Sequence, residues 1–287
     1  MLAALAMLPT MAARPAVDPR VPAGWHPDVR AAREYAGRRQ GEISFSVRTH
    51  DRAWGHRPRR SVNSASVFKA MLLVAYLDHP SVRRRALSDF DRALLAPMIR
   101  YSDNDTATRV RDLVGAAALD RLARRARMRS FRLSPVWGLS QINADDQSRF
   151  FLRLPELVVP RHRRYARKLL AGIVPEQRWG IAKVRPRGWK LYFKGGWGSG
   201  TGLVSHQVAL LERGRQRVSV AIMTTGSPNH EYSQTTLRGV AVRLLRGLER
   251  AGTASPRAPR PSPSPCPPPS PTPSATPSPS PSPSPFP

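Results

Sequence analysis

Cysteine is almost missing: Cys266 is the only one in 287 residues. A single thiol excludes an internal disulfide framework and any multi-cysteine metal site. The histidines (His26, His50, His56, His79, His162, His206 and His230) show no metal-ligand spacing. Lysine is scarce too. Only Lys69, Lys168, Lys183, Lys190 and Lys194 are lysine among 47 basic residues, and the rest are arginine. Acids number 19, which leaves a net charge of +28. No apolar run approaches the roughly 20 residues that span a bilayer as a helix.

Proline is unevenly placed. Pro256 to Pro287 holds 16 of the 30 prolines, mostly in Ser-Pro repeats. Such a stretch has few backbone donors and almost nothing apolar to bury, so residues 253–287 are expected to be an extended, disordered tail. At the other end, residues 1–21 begin with the apolar run Leu2-Ala3-Ala4-Leu5-Ala6-Met7-Leu8, and Met11-Ala12-Ala13 resembles a cleavage point. That segment reads as a short leader without the basic start of a full secretory signal, which makes an extracytoplasmic location the expectation. Residues 22–252 remain as the globular body, large enough for a substantial core.

The arginines run from Arg14 to Arg260, with modest clusters at Arg83-Arg84-Arg85 and Arg161 to Arg167. Two readings fit: a surface filled with arginine by a GC-rich coding bias, or a polyanion-binding face. No RNA-binding or zinc-finger motif accompanies them, which argues against a nucleic-acid module and leaves contact with an anionic cell wall open.

Periodicity supplies the element order. Asp28 to Arg39 has helical spacing. Glu42 to Arg48 alternates apolar and polar residues, a strand with one buried face, and Ala53 to His56 is the returning strand. A helical stretch follows over about 66–172, with a helix capped by Asn104 or Asp105 that ends at Gly115, another capped by Asn143, and a third from Arg161 to Ile173. Strands return at Trp189 to Phe193, Leu203 to Leu211 and Val218 to Thr225, with a turn at Gly214-Arg215. Thr235 to Leu248 closes the body as an amphipathic helix. The predicted fold is α/β and two-lobed, an antiparallel sheet flanked by terminal helices with an all-helical insertion. A cleft between the lobes is the natural ligand site.

Three short motifs carry chemistry. Ser66-Val67-Phe68-Lys69 opens a segment in which every other residue to Leu77 is apolar or aromatic. Residues three apart share a helix face, and apolar surroundings favour a neutral lysine, so Lys69 is placed to act as a base on Ser66. The bland alternative is a capping serine and a lysine that reaches outward. Tyr101-Ser102-Asp103-Asn104 is the second motif, and its residues are also the preferred helix caps. Lys194-Gly195-Gly196-Trp197 is the third. It pairs a cation at a strand end with an approachable backbone edge, and its alternative is a glycine-rich hairpin with a solvated lysine. All three in this order, each on a suitable element, favour the chemical reading.

With those motifs, and with Gln177-Arg178-Trp179-Gly180 before the third, the chain resembles the serine β-lactamase and penicillin-binding superfamily over about residues 28–250. The likeness is closest to the class A β-lactamase-related serine hydrolases. It implies a β-lactamase-like fold with a five-stranded sheet. It also implies acylation of Ser66, proton transfer by Lys69 and Ser102, and substrate contacts from Tyr101, Asn104, Lys194, Gly196 and Trp197. The oxyanion hole would be the backbone N–H groups of Ser66 and Trp197. The implied substrates are β-lactams or D-Ala-D-Ala-type cell-wall peptides, and no metal or cofactor is called for.

Three departures matter. Gly195 replaces the usual hydroxyl residue of the third motif, unless Ser199 or Thr201 compensates. The interval between Ser66 and Ser102 is short. The region matching the omega loop, Met128 to Asn143, has no carboxylate, the nearest being Asp120, Asp145 and Asp146. Three functions therefore stay open: an acyl-transfer enzyme that deacylates slowly, a wall-associated protein acylated slowly or not at all, and an anionic-polymer binder.

Overall fold

The structure is a computed structural model, and it describes residues 20–198 and 203–251. The leader to residue 19, Ser199, Thr201 and the proline-rich tail lie outside the described residues.

α1 (Val29–Gly37) starts at Asp28, whose side chain accepts the Ala31 N–H. β1 (Glu42–Arg48) and β2 (Ala53–His56) form the first hairpin. A short strand, β3 (Val62–Asn63), leads into a 3₁₀ turn (Ala65–Phe68) and α2 (Lys69–Leu77). α3 (Asp89–Arg100) begins with a reciprocal capping box between Ser88 and Asp91. α4 (Asn104–Arg125), β4 (Gln141–Ile142), α5 (Ala144–Leu157) and α6 (Arg163–Ala171) complete the helical lobe. β5 (Lys190–Gly198), β6 (Val204–Arg213), β7 (Gln216–Thr225) and α7 (His230–Leu244) finish the body.

The large sheet has five antiparallel strands in the order β2-β1-β7-β6-β5. Its two faces bury two separate apolar clusters. One joins Phe45, Val47, Phe193, Ala209 and Val220 to α1 and α7, and the other joins Tyr192, Val208, Leu210 and Met223 to α2, α4 and α5. This is the expected β-lactamase-like layering of sheet, terminal helices and helical lobe.

Several local readings need correction. β1 is buried on both faces rather than one. α5 packs over its serine face, where Ser46 Oγ and Ser148 Oγ share a hydrogen bond of 2.9 Å while the buried Ser44 hydroxyl has no partner among the described residues. The cap of α4 is Asp103, not Asn104 or Asp105. Gly115 does interrupt that helix, with φ +70°, but a second helical segment continues to Arg125. β5 runs on through Lys194 to Gly198, so Lys194 is mid-strand instead of at a strand end. α7 begins earlier than expected, at His230, because the Asn229 side chain accepts the Tyr232 N–H at 2.8 Å. β4, which pairs with β3, lies inside the stretch read as helical.

Candidate active site

Ser66 lies in the 3₁₀ turn, one turn ahead of α2, and is partly exposed. Behind it every residue of α2 is buried. The preceding residue, Ala65, has φ +42°, a left-handed conformation that costs a non-glycine residue about 1 kcal/mol. Two contacts hold this turn in place. His206 is fully buried, and burial pushes its pKa down to about 4. Its Nδ1 accepts the Thr224 N–H at 3.2 Å, which puts the ring proton on Nε2, and Nε2 donates to Asn63 O at 3.0 Å. The second contact is Gly196 on β5. A Cβ there would stand 2.7 Å from Val67 N and 2.9 Å from Ser66 N. Only glycine lets the strand edge approach the Ser66 and Val67 amides this closely.

Lys69 is fully buried. Its ammonium donates to Ser102 O, to Asn104 Oδ1 at 2.7 Å and to Ser102 Oγ at 3.3 Å. It also lies 4.9 Å from the centre of the Trp137 ring. Burial pushes its pKa down to about 7, against a smaller opposite pull from the Asp103 carboxylate. Asp103 itself is engaged by Thr106, whose N–H and hydroxyl donate to it at 2.8 and 2.6 Å. Lys194 is also fully buried, donating to Ser102 Oγ at 3.1 Å and to Gly195 O at 2.8 Å. Burial, and then repulsion from Lys69, hold it well below the usual lysine pKa.

The two lysines thus meet at Ser102, and no described residue hydrogen-bonds the Ser66 hydroxyl. The hydrogen bonds of Lys69 and Lys194 centre on Ser102 instead of the Ser66 hydroxyl, because a buried ammonium turns to the nearest carbonyl and amide oxygens and the loop after α3 supplies them. Ser102 is held at φ +61°, a strained position that aims its hydroxyl between the two amines. Both hydroxyl lone pairs accept from ammonium groups, which leaves its O–H to donate elsewhere. Tyr101 is at the rim, 57% exposed, with its carbonyl accepting from Gln177 Nε2 at 2.8 Å.

Trp179, Trp137 and Asp103 were not among the expected site residues. Trp179 explains the third motif. A Cβ on Gly195 would meet the Trp179 ring at 3.0 Å, so the indole fills the space a hydroxyl side chain would take. The ring packs edge-on against Trp197 (5.8 Å) and His230 (5.2 Å). Trp137 belongs to the acid-free stretch. It lies parallel to Phe68 with centroids 6.4 Å apart, and its indole N–H donates to Thr108 at 3.1 Å. The two nearby acids are committed elsewhere. Asp146 accepts the Arg129 and Ser130 N–H groups, and Asp145 pairs with Arg48 and Arg149. Among the described residues no cluster of acids, histidines or cysteines is arranged to hold a metal ion, and no helix is long and apolar enough to cross a membrane.

Comparison with known proteins agrees with this geometry. Residues 92–247, more than half of the chain, match the profile of the beta-lactamase enzyme family. No curated protein sequence matches. Among solved structures, a beta-lactamase from Sphaerobacter thermophilus DSM 20745 superposes with a TM-score of 0.69 at 18% identity, covering 77% of this chain and 97% of that one. A beta-lactamase from Desulfarculus baarsii DSM 2075 gives 0.60 at 23% identity over 75% and 96% of the two chains. PBP-A gives 0.60 at 16% over 75% and 94%. At such identities the likeness carries the fold alone.

Proposed function

The chain belongs to the beta-lactamase enzyme family, and from that membership we propose that it is a serine hydrolase that forms an acyl-enzyme on Ser66 and releases it slowly. The observation that carries this reading is the neutral-poised, buried Lys69, one helical turn from Ser66 and hydrogen-bonded to Ser102. The substrates are β-lactams or D-Ala-D-Ala-type peptides of the cell wall, which agrees with an extracytoplasmic location.

The steps follow the proton. Ser66 Oγ attacks the substrate carbonyl carbon while Lys69 takes the hydroxyl proton. The carbonyl oxygen becomes negative between the N–H groups of Ser66 and Trp197, on either side of the Gly196 contact. The carbon–nitrogen bond then breaks. The leaving nitrogen takes the Ser102 proton, and the Lys69 ammonium replaces it along the 3.3 Å hydrogen bond. Lys194 supports the Ser102 oxygen through this transfer, and Asn104, while holding Lys69, faces the substrate amide. Tyr101 forms part of the rim.

Hydrolysis of the ester needs a second base for water. The stretch from Met128 to Asn143 offers Trp137 beside Lys69 and no carboxylate, so deacylation falls to Lys69 alone. Incubation with a penicillin should give one equivalent of product in a burst, then slow turnover, with intact-mass and peptide analysis finding the adduct on Ser66. Absence of any adduct, together with absence of turnover, would sink the enzymatic reading. Steady turnover without a burst would sink the slow release.

A further inference from the structure

Far along β5 from the site is a concavity of 660 Å³ lined by Arg163, Arg164, Arg167, Lys190, Arg213 and Arg217, with Glu212 among them. Lys190 is four residues before Lys194, roughly 13 Å along the strand, so this surface is separate from the cleft. The sequence scatters these cations over three segments, and α6 packing on β5 beside the β6–β7 turn brings them together.

Four of the six are fixed by the protein itself. Arg167 and Arg217 both bind Glu212 at 2.9 Å, and Arg217 also pairs with Glu156. Arg213 lies 4.8 Å over the Trp189 ring and donates to Glu249 O at 2.8 Å. Arg163 donates to Val158 O at 3.1 Å. Arg164 and Lys190 are exposed and have no partner among the described residues. Arg163 and Arg164 also open α6, whose first turn has no acid and whose cap has no side-chain hydrogen bond. Cations at a helix N-terminus are unfavourable by themselves, and a bound anion reverses the sign of that interaction.

We propose that this concavity is a binding site for a linear phosphate polyanion, with Arg164 and Lys190 as the two cations left for the ligand. The fixed arginines form a preorganised wall, which cuts the ordering cost of binding. Single-stranded nucleic acid fits less well, because it is held by bases stacked on exposed aromatic rings. Among the described residues Tyr192 is the one aromatic lining this concavity, but it is buried and Arg167 lies 5.8 Å over its ring, so no exposed ring is offered for stacking. Phosphates spaced closely without bases occur in inorganic polyphosphate and in glycerol-phosphate polymers of cell envelopes, and the two can be told apart by direct competition.

The test uses the full chain, titrated with inorganic polyphosphate, poly(glycerol phosphate) and a single-stranded oligonucleotide of equal charge, over a series of salt concentrations. Arg164→Glu/Lys190→Glu is compared with Arg84→Glu/Arg124→Glu, which changes the net charge equally at exposed residues elsewhere. Losing two phosphate contacts should flatten the log–log salt slope by about two units and weaken polyphosphate or glycerol-phosphate binding about tenfold or more. The control pair should lose less than about threefold by the same reasoning. Whichever polymer competes better names the source. Arg164→Gln/Lys190→Gln repeats the comparison without charge reversal, and unchanged melting shows that the fold is intact. Equal losses in the two pairs would reduce the effect to diffuse charge and overturn the proposal. Tighter binding of the oligonucleotide, or no binding of either polyphosphate or glycerol phosphate at low salt, would also overturn it.

Discussion

Lys69 offers the sharpest test of the proposed chemistry, because its protonation is set by a feature visible in the structure. A lysine in water has one neutral molecule in about three thousand at neutral pH. With its pKa pushed down to about 7, half of Lys69 is neutral there, so burial raises the population of the base by about a thousandfold. The shift from 10.5 to about 7 corresponds to about 5 kcal/mol of folding stability given up below neutral pH. The sign follows from proton counting. Between about 7 and 10.5 the unfolded chain binds the proton that the folded chain has released, so stability rises with pH across that window.

Acylation by a chromogenic β-lactam, followed by stopped flow and intact mass, should therefore climb about tenfold per pH unit up to about pH 7 and level off above it. Lys69→Ala should cut the rate about 10²–10⁴-fold. Lys69→Arg is the stricter variant, since arginine keeps the charge and cannot release its proton. It should acylate as poorly as Lys69→Ala at every pH, although the buried cation is retained. A rate that stays level from about pH 5.5 to about pH 9, or Lys69→Arg within about tenfold of the parent, would refute the assignment of Lys69 as the base.

Further outcomes follow from the same geometry. Ser102→Ala and Ser102→Gly should both lose acylation, but the glycine variant should be more stable by about 1 kcal/mol in urea unfolding, because only alanine retains the penalty of φ +61°; equal stabilities would remove strain from the account. Gly196→Ala places a methyl 2.7 Å from Val67 N, and should cost about 1–3 kcal/mol with a fall of about a hundredfold in acylation; a neutral result in both assays would show that β5 does not need its close approach. Asp91 is buried, and although burial would raise its carboxyl, the Arg85 pair with Tyr76 and Ser88 hydrogen bonds holds it well below the usual range. Asp91→Asn should lose about 3 kcal/mol at neutral pH, and the gap to the parent should close as pH falls below the unfolded carboxyl value near 3.8, as read from urea midpoints; a gap independent of pH would refute the ion-pair origin.

Much of this architecture can be read along the chain. The alternation in Glu42–Arg48, the all-apolar run after Lys69 and the turn at Gly214-Arg215 are local patterns, and local patterns set β1, α2 and the β6–β7 hairpin. Other features escape because local signals tie. Ser102, Asp103 and Asn104 are all good caps, and only the left-handed backbone at Ser102 decides for Asp103. Gly115 reads as a helix end because a positive φ is its usual role there, and nothing local shows that a second helical segment follows. The serine face of β1 looks solvent-exposed until α5 covers it. Trp137 on Lys69 and the arginine concavity depend on segments far apart in sequence, and Trp179 meets Gly195 only because the intervening turn folds the chain back onto β5.

Those non-local contacts bear most on mechanism. Gly195 alone looks like a lost hydroxyl that one substitution could restore. With Trp179 packed 3.0 Å from where the side chain would start, the loss is built into the wall of the site, and a hydroxyl there requires a smaller residue at 179 as well. The missing omega-loop carboxylate has the same character. Trp137 occupies the space beside Lys69, stacked along Phe68 and tied to Thr108. Asp145 and Asp146, the acids nearest in sequence, are satisfied by Arg48, Arg149 and two backbone N–H groups. Bringing either acid to the ester would break those bonds and displace the indole. In the proposed mechanism, slow release of the acyl group follows from how the helical lobe packs, and a single added carboxylate is expected not to remove it.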